Sequence, residues 1–225
     1  MIPLRDAIPT RRVPVVNYVL IAFNILVFIA MWLAGASADN WVLEFAMIPA
    51  NARDGVSLGD IGDIFTSMFM HAGLAHLAGN MLYLWIFGDN VEDRLGPGAY
   101  LVFYLVGGVV ASLTHVLLNP TSEIPTVGAS GAIAAVLGAY LVLYPYSRVQ
   151  TFVPIGPYFM KLTVLPAAVV LGLWFLLQLF ETVLALGGPD VAGVAFGAHA
   201  GGFVAGMVMA GALARRGPAQ QARAW

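Results

Sequence analysis

The amino-acid sequence predicts an all-α polytopic membrane protein with six transmembrane helices. Of the 225 residues, 60% are hydrophobic and 10% are charged, and the mean hydropathy is +0.85. A soluble domain normally carries about 25% charged residues, so this chain is too apolar for that class. Six apolar runs, separated by more polar segments that contain proline or glycine, set the number of spans.

The charge and the cysteine content exclude several functions. A net charge of −2 provides no basic surface, so nucleic acid is not expected among the partners. The chain has no cysteine, which excludes disulfides and thiolate chemistry. The composition therefore predicts that the protein lies in a lipid bilayer, and it indicates no other partner.

The first span is predicted at residues 15–33, after a polar N-terminal segment formed by residues 1–14. A cleavable signal peptide is the alternative, because Ala36, Ser37 and Ala38 resemble a small-residue cleavage site behind a basic start. The apolar run is longer than the roughly 7–15 residues of a signal-peptide core, which favours a membrane span.

Five further spans are predicted downstream, at residues 65–87, 99–118, 130–144, 164–184 and 191–214. The segment between the first two spans mixes five carboxylates with aromatic and aliphatic side chains. We expect it to lie along the membrane interface, with an ordinary loop as the alternative. The predicted organisation is a cytoplasmic N-terminal segment (1–14), a six-helix membrane domain (15–214) and a cytoplasmic tail (215–225).

The basic residues indicate the orientation. If the N-terminus is cytoplasmic, nine of the ten Lys and Arg residues lie on the cytoplasmic side, and only Arg53 lies outside. An excess of Lys and Arg marks the cytoplasmic side of membrane proteins. We therefore expect a multi-pass protein of the cell membrane with both termini in the cytoplasm, and the second, fourth and sixth spans then begin near the outer face. The nine residues are Arg5, Arg11, Arg12, Arg94, Arg148, Lys161, Arg215, Arg216 and Arg223.

A serine stands at the predicted start of the fourth span. Ser130 is flanked by Gly128 and Gly131. At a helix start the backbone N–H groups are unpaired and carry partial positive charge, so a nucleophilic oxygen and a site for an oxyanion come together there. The alternative is that Ser130 only caps its helix, with Ala134 and Gly138 providing a small-residue packing seam.

Polar side chains also lie near the starts of the second and sixth spans, at the depth of Ser130. They are His71, His76 and Asn80 in the second span and His199 in the sixth. His76 and Asn80 are four residues apart and share a helix face, whereas helical geometry points His71 away from that face. Ionisable groups in a span normally face a cavity or mark function. A lone histidine, however, is often only an interhelical hydrogen-bonding residue.

Small residues make contact between the fourth and sixth spans feasible. Gly202 and Gly206 give the sixth span a narrow face below His199, similar to the face below Ser130. Two such faces allow a serine–histidine hydrogen bond. The remaining histidine, His115, lies late in the third span without a polar companion at helical spacing, and we interpret it as structural or interfacial.

Three motifs occur in a distinctive order and spacing. They are His71-Ala-Gly-Leu-Ala-His76-Leu-Ala-Gly-Asn80, Gly128-Ala-Ser130-Gly131 and Ala198-His199-Ala-Gly-Gly202. Further short segments of note are Val91-Glu92-Asp93-Arg94-Leu95-Gly96, Ile2-Pro-Leu-Arg5 and Pro9-Thr-Arg-Arg12. Together these segments resemble the rhomboid intramembrane serine proteases. The resemblance extends over nearly the whole chain and implies a rhomboid-like bundle of the bacterial type, with six transmembrane helices.

The resemblance implies a role for each polar residue. Ser130 would be the nucleophile and His199 its general base, a dyad without a carboxylate, and no Asp or Glu lies between these groups in the spans that carry them. His76, Asn80 and the backbone N–H of Ser130 would stabilise the oxyanion, with His71 in support. The family needs no cofactor and no metal, and its substrates are single-span membrane proteins that unwind near the outer face.

One position departs from the family pattern. Relatives usually carry an aromatic residue four positions after the serine, packed on the base histidine, and here that position is Ala134. Either another ring takes that place or His199 is less firmly oriented. The pair Glu92 and Arg94 is interpreted as structural, joining the inner ends of the second and third spans. The fifth span, with Trp174 and Phe175, is the candidate lateral gate.

Three other classes remain as alternatives. A proteolytically inactive rhomboid-like binding protein would keep the fold, but such proteins normally lose the serine or the histidine. A metal or haem protein would use His71, His76 and His199, but no carboxylate supports them and the HExxH motif of metalloproteases is absent. A channel or transporter would typically show inverted repeats, and the sequence has none.

Overall fold

The computed structural model describes residues 1–52, 55, 57–156, 159–186 and 195–214. Within these ranges the chain is mostly helical, and one small antiparallel sheet accompanies the helices. The helices are α1 (Val15–Ala34), α2 (Ala38–Phe45), α3 (Leu58–Ser67), α4 (Leu74–Leu95), α5 (Pro97–Leu118), α6 (Ser130–Leu143), α7 (Ala167–Leu186) and α8 (Phe196–Ala214). The strands are β1 (Ile2–Asp6), β2 (Arg148–Ile155) and β3 (Phe159–Pro166).

Four helical stretches in the described part of the chain are long and apolar enough to cross a membrane. Helix α6 is equally apolar but shorter, and the second half of α4 carries four charged side chains. A mostly helical bundle of this kind confirms the predicted class of polytopic membrane protein. The four stretches are Val15–Phe45, Pro97–Leu118, Ala167–Ala185 and Phe196–Leu213.

The predicted second span, 65–87, is wrong at its beginning. The structure divides it between α3, which ends at Ser67, and α4, which begins at Leu74. The backbone N–H of Gly128 donates a 2.9 Å hydrogen bond to the carbonyl of Ser67. The same carbonyl accepts from the N–H of Met70 at 3.3 Å, and the backbone at His71 is not helical. The predicted fifth span also begins too early, since residues 164–166 finish strand β3.

The segment between the first and second spans is built of short helical pieces. Helix α2 and a 3-10 turn at Pro49–Ala52 precede α3. Ser57 and Asp60 form a capping box that starts α3, with the Ser57 hydroxyl accepting from the Asp60 N–H at 3.1 Å. The segment is therefore more regular than an ordinary loop. Its position along a membrane interface stays a prediction, and Arg53 lies outside the described residues.

Helix α6 is the centre of the bundle. Every residue from 132 to 140 is buried. A Cβ atom on Gly138 would overlap the Phe203 carbonyl, and one on Gly206 would overlap the backbone of Ala135. The backbones of α6 and α8 are therefore in direct contact, as the small-residue faces predicted.

Glu92 ties α4 to the first helix. Its carboxylate accepts hydrogen bonds from the backbone N–H groups of Val16 at 3.1 Å and Asn17 at 2.7 Å. These are unpaired donors of the first turn of α1, where a negative charge is favoured. Glu92 was expected to join the second and third spans. That expectation is wrong, because Glu92 instead joins the second span to the first.

A three-stranded sheet closes the end of the bundle opposite Ser130. Strand β1 pairs antiparallel with β2, with Ile2 opposite Phe152, and β2 forms a hairpin with β3. The Asp6 carboxylate accepts hydrogen bonds from the Tyr140 hydroxyl at 2.6 Å and the Asn90 amide at 3.1 Å. The N-terminal segment is therefore attached to the far end of α6, which the sequence did not predict. The tail predicted at residues 215–225 and the predicted start of the sixth span at residue 191 lie outside the described residues.

Candidate active site

Two residues at the starts of adjacent helices form the centre of the site. Ser130 is the first residue of α6, and His199 lies in the first turn of α8. The Nε2 atom of His199 is 2.7 Å from the Oγ atom of Ser130. This is hydrogen-bonding distance between a hydroxyl donor and an imidazole acceptor. The predicted pairing of these two side chains therefore appears in the geometry.

The loop before α6 lies between the side chains of His76 and Ser130. Gly128 has a φ of +132°, which side chains rarely adopt. A Cβ atom at this position would lie 2.7 Å from the His76 ring and 3.6 Å from Oγ of Ser130. The loop therefore packs tightly between the two side chains, and only glycine fits there.

Asn80 and His71 form a buried hydrogen-bonded pair beside His76. The Asn80 side-chain N–H donates to Nε2 of His71 at 2.9 Å. The two side chains are 8% and 2% exposed, respectively. The His71 ring contacts the His76 ring edge-on, with a centroid distance of 5.0 Å. The expectation that His71 points away from Asn80 is wrong, because it assumed a helical backbone at residue 71.

A cavity of about 890 Å³ opens beside these groups. Its volume lies in the range of ligand pockets, which is about 300–1,000 Å³. His71 does not belong to the lining and lies behind Asn80. The polar site residues that line the cavity are Ser130, His199, His76 and Asn80.

Helix α7 supplies two partners of His199 that the sequence analysis missed in this role. The Oε1 atom of Gln178 is 2.7 Å from Nδ1 of His199. The Trp174 ring lies one turn earlier, with its centroid 6.0 Å from that of the imidazole and a 32° angle between the planes. Trp174 and Gln178 are four residues apart and therefore share one face of the helix, a spacing that is visible in the sequence.

Trp174 explains how the site tolerates Ala134. The Ala134 side chain is fully buried in the core, at 0% exposure. The ring that packs on His199 comes from α7 instead of α6. Phe175, the second aromatic residue proposed for a gate, stacks on Phe203 of α8 with a centroid distance of 4.5 Å. Both rings therefore contact α8, and the bulky aliphatic residues of α7 form its exposed side.

His115 has a polar companion, contrary to the sequence analysis. Asn119, four residues later and directly after the end of α5, places its amide nitrogen 3.2 Å from Nδ1 of His115. Both residues line the cavity. The i, i+4 spacing was visible in the sequence and was overlooked.

The histidines do not converge on one point. Nε2 of His199 faces Ser130, whereas Nε2 of His71 faces Asn80. Within the described ranges no group of three or more His, Cys, Asp or Glu residues is arranged to hold a metal ion. The hydrogen-bonded pair of Ser130 and His199 is an arrangement that can support acid–base and nucleophilic chemistry.

The amino-acid sequence is similar to a family model and to several known proteins. A family model for the rhomboid domain matches residues 59–216. Rhomboid protease GluP of Bacillus subtilis (strain 168) is 30% identical over 200 residues, which are 89% of this chain and 35% of that protein. The putative rhomboid protease YdcA of the same organism is 28% identical over 133 residues, 59% of this chain and 64% of that protein.

A human protein with rhomboid in its name is also similar to this chain. The mitochondrial presenilin-associated rhomboid-like protein of Homo sapiens is 32% identical over 131 residues, which are 57% of this chain and 33% of that protein. The chain thus spans between 33% and 64% of the length of these relatives. Because the rhomboid model covers more than half of the sequence, and the similarity to GluP extends over 89% of it, the chain belongs to the rhomboid family.

Proposed function

We propose that this protein is an intramembrane serine endopeptidase that uses Ser130 and His199 as its catalytic dyad. The observation that carries the proposal is the 2.7 Å distance between Oγ of Ser130 and Nε2 of His199, at a helix start that lines a cavity. Membership of a family that contains proteins named as proteases adds support.

The chemistry follows from the two atoms. Neutral His199 accepts the hydroxyl proton at Nε2 as Oγ of Ser130 attacks the scissile carbonyl carbon. The protonated imidazole then donates that proton to the leaving amine, and the peptide bond breaks to leave an acyl ester on Ser130. A water molecule, deprotonated by His199, hydrolyses the ester and restores both side chains.

The oxyanion of the tetrahedral intermediate requires donors at the same place. We assign this role to the backbone N–H of Ser130 and the side chains of His76 and Asn80. The N–H groups of a first helical turn have no acceptor within the helix. One amide hydrogen of Asn80 is taken by His71, and the second remains for a ligand in the cavity. His71 would therefore act by holding the Asn80 amide.

The substrates would be single-span membrane proteins. A peptide bond in an intact transmembrane helix is hydrogen-bonded and shielded, so the substrate helix must unwind to enter the cavity. The positive-inside distribution of the basic residues supports a site near the outer face of the cell membrane, with both termini in the cytoplasm. Arg5, Arg148 and Lys161 lie together in the sheet at the opposite end, which supports this orientation.

A fluorophosphonate probe tests the proposal directly. The wild type in detergent should be labelled, and Ser130→Ala should not be, because the probe reacts only with an activated serine. His199→Ala should lower the rate of substrate cleavage by at least about 10³-fold, of the order found when a member of a catalytic triad is removed.

A second serine provides the control for this labelling. Ser37 is exposed and lies between α1 and α2, so Ser37→Ala should be labelled like the wild type. Equal labelling of wild type and Ser130→Ala would remove Ser130 as the nucleophile. No labelling of a folded wild type would favour the inactive rhomboid-like binding protein instead.

A further inference from the structure

The geometry points to Gln178 as a positioning residue for the general base. We infer that its side-chain oxygen holds the Nδ1–H tautomer of His199, so that the third place of a catalytic triad is filled by a neutral amide. This inference rests on the proposed function of Ser130 and His199. It assigns to α7 a part in the chemistry that neither the motifs nor the family resemblance contains.

The hydrogen bonds of His199 define the tautomer. A neutral imidazole has one N–H donor and one bare acceptor nitrogen. Nε2 must be bare to accept the proton of Ser130, which lies 2.7 Å away. Nδ1 must then carry the hydrogen, and the group 2.7 Å from it is the amide oxygen of Gln178, an acceptor. The same tautomer, with hydrogen on Nδ1 and none on Nε2, therefore satisfies both the contact with Ser130 and the contact with Gln178.

The Gln178 amide is held in place by its surroundings. Gln178 is only 6% exposed, although it belongs to the cavity lining, and its side-chain oxygen occupies the hydrogen-bonding position at Nδ1. On the same helix, Trp174 packs against the imidazole ring, one turn before Gln178. Two contacts from adjacent turns of one helix thus restrict both the plane and the proton of His199. A buried side chain with such partners loses little rotamer freedom when it orients the base.

A neutral amide suits this location. An ionised carboxylate inside a membrane-spanning bundle is costly unless it is paired. Gln178 supplies the acceptor without that cost, but it stabilises the imidazolium less than a carboxylate would. The arrangement therefore fixes the tautomer while leaving the basicity of His199 largely to the rest of the site.

Two substitutions at this position separate orientation from packing. Gln178→Leu keeps the approximate volume but removes the acceptor, and we expect kcat to fall roughly 10- to 10²-fold with KM nearly unchanged. Gln178→Glu retains an acceptor, so activity should be kept at neutral pH. The added charge stabilises the imidazolium, so the acid limb of the kcat/KM profile should move to higher pH. A packing role alone predicts neither the rescue nor the shift.

A measurement without turnover makes the inference independent of activity. The chain has four histidines, so NMR of protein labelled with ¹⁵N-imidazole histidine resolves few signals, and His199→Ala assigns the one of interest. We expect Nδ1–H and bare Nε2 for His199 in the wild type. In Gln178→Leu a substantial fraction should convert to the Nε2–H form. An unchanged tautomer in Gln178→Leu would overturn the inference, whatever the wild-type activity.

A matched control uses the glutamine in strand β2. Gln150 is exposed and far from the cavity, so Gln150→Leu should leave kcat, the pH profile and the His199 signal as in the wild type. If Ser130→Ala abolishes cleavage but Gln178→Leu retains full kcat, the proposed protease stands and the role of Gln178 is wrong. If the wild type does not cleave but the tautomer depends on Gln178, the proposed function fails and the positioning contact stands.

Discussion

At the scale of single residues, the site combines groups of two kinds. Ser130 and His199 are brought together by the close approach of two helices, whereas Asn80 and His71 meet because the backbone leaves the helix between Ser67 and Leu74. His71 lies behind the cavity wall and contacts the reacting groups only through Asn80 and His76. His71, which precedes α4, and His76, in the first turn of α4, therefore have different roles in the proposed mechanism.

Substitution of Asn80 tests the oxyanion assignment. Asn80→Ala removes one donor to a charge that exists only in the tetrahedral state. We expect kcat to fall about 10²- to 10³-fold, with a smaller effect on KM. If Asn80 only bridges to His71, its loss should lower the free energy of unfolding by roughly 0.6 kcal/mol and leave kcat intact. Melting temperature and kcat on one preparation separate the two roles.

The Asn80→Ala variant also serves as the background in which the role of His71 can be tested. If His71 acts by holding the Asn80 amide, His71→Ala should lower kcat less than Asn80→Ala does. It should then have no further effect when Asn80 is already alanine, because the two residues act as one unit. Independent losses in the double variant would mean that His71 contributes separately.

The sequence predicted part of this site and missed the rest for identifiable reasons. Ser130, His199, His76 and Asn80 were found because polar groups at helix starts stand out in apolar spans. The contact of His71 with Asn80 was missed, because the backbone at His71 is not helical and the hydrogen bond from Gly128 to Ser67 at this break joins residues distant in sequence. The spacing of Trp174 and Gln178 is visible in the sequence, but their contacts with His199 depend on how α7 packs against α8, which no local pattern encodes.

At the scale of helices, the contact between α6 and α8 sets the distance between serine and histidine. Gly206 tests this contact, since a Cβ atom there would overlap the Ala135 backbone. Gly206→Ala should force the helices apart and destabilise the protein by about 1–3 kcal/mol. The folded fraction should also lose most of its activity, because His199 moves with α8. A thermal melt and cleavage by the purified folded fraction measure the two effects.

Gly211 on the same helix is the matched control. A Cβ atom at this position would meet nothing within 4 Å. Gly211→Ala should therefore leave activity unchanged and slightly raise stability, since alanine is the better helix former by roughly 0.5–1 kcal/mol. If Gly206→Ala behaves like Gly211→Ala, the helix contact does not set the geometry of the site.

At the scale of the whole molecule, the fold class was predicted well and the sheet was not. Apolar runs of about 20 residues identify spans directly. Strand β1 is only five residues long, and its partner β2 follows about 140 residues later, so no local pattern pairs them. The interaction of Asp6 with Tyr140 depends on that pairing and was equally invisible.

The orientation of the molecule is tested by reporters. A reporter that is active only in the cytoplasm should be active when it is fused after Trp225. A tag inserted near Arg53 should be accessible from outside the cell. The reason is the concentration of Lys and Arg at the sheet end and in the C-terminal residues. The reverse result would place the cavity mouth toward the cytosol and change the site of cleavage.

The burial of the centre of α6 has a consequence for its relation to the bilayer. At 14 residues and about 1.5 Å per residue, the helix is about 21 Å long, shorter than a hydrocarbon core of about 30 Å. Its residues from 132 to 140 are buried against protein, whereas α1, α5 and α7 expose apolar side chains. We therefore expect hydrophobic mismatch to act on these three helices, which should respond by tilting. The depth of Ser130 should then be set by neighbouring helices, and membranes of different thickness should deform the periphery before they move Ser130.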